Sequence, residues 1–248
     1  MNSFLIGLQF LTRIHINNQT VWTAEAFGGS VKYFPLIGMV IGAILAGIYC
    51  FTSPYVTPFL AAVLVVLAEF LLTGGLHADG FMDTADGIFS GRERERKLEI
   101  MKDSRVGSNG VVAFVFLVML KTAFLENISA EAIPMALFCM PVISRFGMVI
   151  SITQFPYARK EGMGKAFAQY AEPYALKTAA IFALLPGLYW TYDYTVCLAA
   201  GILAVWSGNR YIVKQIGGVT GDTYGAITEL TELIILGTIL VEQVMVWR

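Results

Sequence analysis

Residues 33–68 read YFPLIGMVIGAILAGIYCFTSPYVTPFLAAVLVVLA, 36 positions without Asp, Glu, Lys, Arg or His. One bilayer crossing needs roughly 20 apolar residues, so this run predicts two, hinged near Ser53-Pro54. The boundaries fall near 34–51 and 56–75, and further apolar segments lie near 109–126, 134–152, 177–192, 195–212 and 226–246. The expectation is an all-α, polytopic integral membrane bundle of about seven transmembrane helices, one domain over residues 1–248. Only the connections 76–108 and 153–176 are long.

Composition agrees. The chain is 56% hydrophobic and 14% charged, against about 25% charged residues in soluble domains. The net charge is −1 and no long basic run occurs, which argues against a nucleic-acid partner. Cys50, Cys139 and Cys197 sit far apart in apolar stretches and form neither a zinc spacing nor a disulfide framework. The opening MNSFLIGLQFLTRI has no basic lead-in, so a cleaved signal peptide is not expected. It reads as an interfacial helix with Phe4, Leu5, Leu8 and Leu11 on one side.

Loop charges set the orientation. With a cytoplasmic N-terminus, Arg13, Lys32, the basic residues of 92–105, Arg159, Lys160, Lys165, Lys177, Arg210 and Lys214 all lie on or near the cytoplasmic side. The opposite connections, near 52–55, 127–133 and 193–194, hold no Lys or Arg.

Against this apolar background, residues 76–110 form a polar island, LHADGFMDTADGIFSGRERERKLEIMKDSRVGSNG. Asp79, Asp83 and Asp86 fall within roughly 60° of one another on a helix. Like charges at i, i+4 repel, so something positive must be shared, and hard carboxylate oxygens suit Mg²⁺. Unpaired carboxylates between Gly80, Phe81, Met82 and Ala85 would otherwise be expensive. His77 is placed to ligate metal, contact phosphate or orient an aspartate. Downstream, Lys102 and Arg105 are natural counter-charges for a diphosphate, with Asp103 a further ligand or a general base and Ser104 a neighbouring polar contact. Ser108, Asn109 and Gly110 open the next helix, whose amides favour anions. The ERERK run at 93–97 reads as an exposed, self-paired face.

A second constellation, GGVTGDTYGA at 217–226, precedes Glu229 and Glu232. Thr220 and Asp222 suit a capped helix start, but Glu232 lies already inside an apolar run, so a functional reading is favoured, in which Asp222, Glu229 and Glu232, with Thr220, bind substrate or the three acids complete the metal site. Inside the spans, Glu69 and Arg145 are functional candidates by default. Glu69 is placed to hold metal or to pair with Arg145.

The stretch 73–110, which opens TGGLHADG and contains the island, the opening FLIGLQFLTRI with YFPLIG, and the closing GGVTGDTYGAITELTEL together resemble the cobalamin synthase family, the adenosylcobinamide-GDP ribazoletransferases. The resemblance implies an integral membrane enzyme of the cell (inner) membrane with a cytoplasmic active site. It implies transfer of phospho-cobinamide from adenosylcobinamide-GDP to α-ribazole, or its 5′-phosphate, with release of GMP and help from Mg²⁺. Read with the residues above, Asp79, Asp83, Asp86 and Glu69 are the metal candidates. Asp83, Asp86, Lys102, Asp103 and Arg105 are the catalytic ones, and His77, Ser104 and Asn109 join the C-terminal set as substrate contacts. The aspartate spacing is also similar in spirit to the CDP-alcohol phosphatidyltransferases, although their Ala-Arg after Asp-Gly is not reproduced. A lipid-headgroup transferase and a divalent-cation transporter stand as alternatives, and a homo-oligomer stays open.

Overall fold

A computed structural model describes residues 3–16 and 23–246 of the protein. The helices in chain order are α1 Ser3–Leu11, α2 Ala24–Ser30, α3 Phe34–Thr52, α4 Pro58–Thr73, α5 Leu76–Ile88, α6 Arg94–Ile100, α7 Ser108–Asn127, α8 Ile133–Gln154, α9 Met163–Tyr170, α10 Ala175–Leu184, α11 Thr191–Ile216 and α12 Gly221–Val246. Among the described residues the one extended pairing is an isolated bridge between Tyr157 and Val219. The protein is a polytopic helical membrane bundle.

Each apolar segment of the sequence is helical, but not each is a full crossing. Five stretches are long and apolar enough among the described residues: Ala24–Thr52, Ser108–Asn127, Ile133–Gln154, Thr191–Ile216 and Gly221–Met245. The pair α4–α5 makes a sixth only if it is taken together. The segment expected at 177–192 is shorter, Ala175–Leu188, because Pro186 and Gly187 tighten its end into a 3₁₀ turn. The N-terminal segment expected as an interfacial helix is helical, and one side of it packs on the bundle. Ile6, Leu8 and Leu11 of α1 are buried, and a Cβ on Gly7 would press on Ile37 and Ser30. The helix is docked on the protein.

Helix α8 is the axis of the bundle, buried along nearly its whole length. Its most extensive partner is α3, and the contact depends on Gly38 and Gly42. A Cβ on Gly42 would lie 2.5 Å from the Phe138 carbonyl oxygen, and one on Gly38 would overlap that of Pro141. Small residues four apart let two membrane helices approach backbone to backbone. The approach occurs where Pro141 lacks the N–H that would bond the Leu137 carbonyl.

Two consecutive glycines position the polar island. Gly74 (φ 64°) ends α4 and Gly75 (φ 72°) precedes α5, both in the left-handed region that Gly adopts without strain. The chain turns by 92° there. The carboxylate-bearing α5 therefore leaves the direction of α4 and lies across the starts of α7 and α12. The start of α7, the segment after α8 and the start of α12 gather at the same end, where Ala158 N–H donates to Val219 O at 2.8 Å and Val219 N–H donates to Pro156 O at 2.8 Å.

Gly42→Leu should lower the thermal midpoint of the detergent-purified protein through overpacking of about 1–3 kcal/mol, read by intrinsic fluorescence, whereas Gly47→Ala, with nothing within 4 Å of the added carbon, should leave it unchanged.

Candidate functional site

The three aspartates of α5 do different things. Asp86 is buried and accepts N–H bonds from Gly107 (2.7 Å) and Gly110 (2.8 Å), one on each carboxylate oxygen. It occupies the positive N-terminus of α7, the place where the sequence suggested a substrate anion. The glycines are required there, since a Cβ on Gly110 would lie 2.5 Å from Asp86 Oδ2. Asp86 is thus the strut that clamps α5 to α7, which leaves it poorly placed as a metal ligand. Asn109 sits half-buried in the first turn of α7.

Asp79 and Asp83 face the start of α12 instead. A Cβ on Gly80 would fall 2.6 Å from the Asp222 carbonyl oxygen, so the backbones of α5 and α12 nearly touch. Asp222 thereby joins the α5 carboxylates, and Arg159, from the segment after α8, meets it at 2.6 Å. Burial, and then the charges of Asp79, Asp222 and Asp86, push the Asp83 carboxyl up to about 7. Thr220 behaves as the cap: Thr223 N–H donates to Thr220 Oγ1 (3.3 Å) and Thr220 N–H to Thr223 Oγ1 (2.8 Å), a reciprocal capping box.

Glu229 and Glu232 are not at this surface. Both are buried, two and three helical turns into α12, and both meet the ammonium of Lys121 on α7, at 2.7 and 2.6 Å. Glu69 of α4 meets the same nitrogen at 3.0 Å. Arg145 of α8 pairs with the other oxygen of Glu232, which also accepts from Ser144 (2.9 Å). Among the described residues this is the one place where three ligand atoms converge within 4.8 Å, and a lysine already stands among them. Glu69 therefore pairs with Lys121 and not with Arg145, and Glu229 and Glu232 are partners of the same ammonium. Lys121 was the legible signal that went unread, a lone base within an apolar helix.

The loop after α6 is exposed. Asp103 accepts from the Arg105 side chain at 3.1 and 2.8 Å and from its backbone N–H at 3.0 Å. The Arg105 hydrogen bonds hold the Asp103 carboxyl down at about 2, which makes it a weak base. Lys102 and Ser104 are exposed nearby, and Arg105 and Asp103 line a 110 Å³ recess with Asp86. The ERERK face is only partly self-paired. Arg96 meets Glu99 (2.7 Å), but Lys97 donates to Gln215 (2.6 Å) and the Arg94 guanidinium lies on Gly217 at the end of α11. His77 is buried, with Nε2 lacking a hydrogen-bond partner. Arg159 is the site residue that the sequence did not single out, since it looked like any other loop cation.

Fold and site define a membrane-embedded protein with a carboxylate-rich centre at one end of its bundle. The sequence matches the cobalamin-5-phosphate synthase family over residues 3–240, and the chain belongs to that family. It is 41% identical over 245 residues to the adenosylcobinamide-GDP ribazoletransferase of Desulforamulus reducens, covering 98% of this chain and 97% of that one. The enzyme of the same name from Clostridium novyi is 38% identical (97% of each chain). That from Fusobacterium nucleatum is 35% identical, over 97% of this chain and 98% of its own. No solved structure matches.

Lys121→Met should strand the buried carboxylates of Glu69 and Glu229, leaving Glu232 with Arg145, and destabilise the protein by about 3–5 kcal/mol. Adding Glu229→Gln should recover part of that loss in the same thermal scan. For Asp83 the folded state holds a proton that the unfolded chain releases, so in chelator-treated protein stability should fall as pH rises through about 7. Asp83→Asn should flatten that slope.

Proposed function

We propose that the protein transfers the phospho-cobinamide moiety of adenosylcobinamide-GDP to α-ribazole or its 5′-phosphate, releasing GMP, with Mg²⁺, at the cytoplasmic face of the cell membrane. The observation that carries the reading is the meeting of Asp79, Asp83 and Asp222 where α5 crosses the start of α12, in a chain of this family. The names of its relatives supply the substrates. The basic loops 92–105 and 159–165 lie at the same end of the bundle, in keeping with a cytoplasmic site.

The donor set fits the ion. Asp79, Asp83 and Asp222 are hard oxygen donors whose charges outnumber the nearby Arg159, and after burial the charges of Asp79 and Asp222 raise the Asp83 carboxyl further. Mg²⁺ is an ion that works with few carboxylates and completes its shell with water and substrate phosphates. When bound it would neutralise charge on the diphosphate. The protein's own contribution is positional. A hydroxyl of the ribazole ribose attacks the phosphorus on the cobinamide side, the bond from that phosphorus to the bridging oxygen breaks, and GMP departs with the electron pair. A carboxylate of the Asp79–Asp83–Asp222 set takes the hydroxyl proton, while Arg159, Arg105 and Lys102 offset charge on the leaving phosphate. Asp86 acts at one remove, by holding α5 against α7.

Purified protein in nanodiscs, given adenosylcobinamide-GDP, α-ribazole and Mg²⁺, should release GMP. Asp79→Asn and Asp83→Asn should each lower kcat by about a hundredfold or more. Full turnover in both variants, or CMP release from a CDP-alcohol in place of GMP, would overturn the assignment.

A further inference from the structure

Two cavities meet at Asp79. The larger, about 620 Å³, lies between the end of α1, the Gly74–Gly75 bend and Phe114 of α7. The smaller, about 190 Å³, is bounded by α9 and the first turns of α12. Phe10, Leu76 and Asp79 line both, so these three residues form the partition.

We infer that the smaller cavity is the acceptor subsite and takes the flat heteroaromatic base of an azole nucleoside, while the larger one admits the nucleoside-diphosphate end of the donor. The inference rests on the transferase reading above. Transfer of a phosphoryl group places the attacking and leaving oxygens roughly in line, on opposite sides of phosphorus. An enzyme joining two substrates in this way needs two pockets that face each other across its charged residues. Asp79 is the carboxylate that lies between such a pair here.

Size and wall chemistry assign which pocket is which. A corrinoid does not fit 190 Å³, whereas a flat bicyclic base does. Phe10, Phe167 and Tyr224 offer ring faces and edges, and Met148 a polarisable sulfur, the surroundings that a neutral aromatic ring prefers. Gly80, Gly164, Gly221 and Gly225 leave bare backbone along its wall, so a planar group can come close. Two lining residues carry buried polar atoms without a partner, Tyr224 Oη and His77 Nε2. Both atoms are closed off from the cavity, so a bound base would meet the ring surfaces and the bare backbone. With the base so placed, the ribose falls beside Asp79 and Asp222, the acids that line the same cavity, and its hydroxyl points at the partition.

The test is steady-state GMP release with each substrate varied in turn, wild type first. A wild-type protein that releases no GMP overturns the transferase reading itself. Given wild-type turnover, Gly221→Leu fills the smaller cavity. The nearest atoms to a Cβ there belong to Gly164, at 3.9 Å, so the backbone tolerates the change. The expected result is a rise of about tenfold or more in the α-ribazole KM with the donor KM held within about twofold. Phe167→Leu, a milder change of shape, should shift the same constant in the same direction. Calorimetry with α-ribazole alone, without donor or Mg²⁺, should show binding to the wild type weakened in both variants. An unchanged α-ribazole KM and affinity in Gly221→Leu and Phe167→Leu, or an equal or larger change in the donor KM, would overturn the subsite.

Discussion

One lysine ammonium inside the bundle constrains the rest of the architecture. Lys121 is fully buried, so it must be met by carboxylates, and those come from Glu69 on α4 and from Glu229 and Glu232 on α12. Arg145 of α8 completes the knot through Glu232. Four helices are thereby held at one height relative to one another. Packing of apolar side chains alone leaves membrane helices free to slide, because lipid tails and leucines are equally good neighbours. A buried ionic knot does not slide, since moving any member by one turn strands a charge.

From that height the site follows. With α4, α7 and α12 in register, the bend at Gly74–Gly75 brings α5 across the starts of α7 and α12 together. Asp86 closes one contact by sitting on the exposed amides of α7, and Gly80 closes the other by letting the backbone of α12 approach. The remaining acids, Asp79 and Asp83, are then held against Asp222 in spite of their mutual repulsion. Local strain of this electrostatic kind is sustained by contacts elsewhere. The GxxxG face of α3 on α8 and the knot around Lys121 supply it, and both lie away from the aspartates.

The buried and the surface acids illustrate a general difficulty in reading polar residues of membrane proteins. Glu229 and Glu232 lie only two and three turns beyond Asp222 on one helix, and spacing alone assigns all three to one task. Depth separates them. Asp222 lies at the end of the bundle and meets Arg159, while its two neighbours lie within it and meet Lys121.

The sequence by itself determined the class of fold, the apolar segments and the location of the polar island, because hydropathy is a local property and a charge-free run of 36 residues has few other uses. It also determined that Asp79 and Asp83 share a helical face, since helix geometry converts spacing into direction. Tertiary structure alone decided that Asp86 serves a helix terminus, that Glu69 pairs with Lys121, that Asp103 is tied to Arg105, and that Asp222 and Arg159 complete the aspartate centre. A carboxylate has the same formula whether it meets a metal, an amide or an ammonium. Which partner it meets depends on residues tens of positions away, and only the packed bundle brings those within reach.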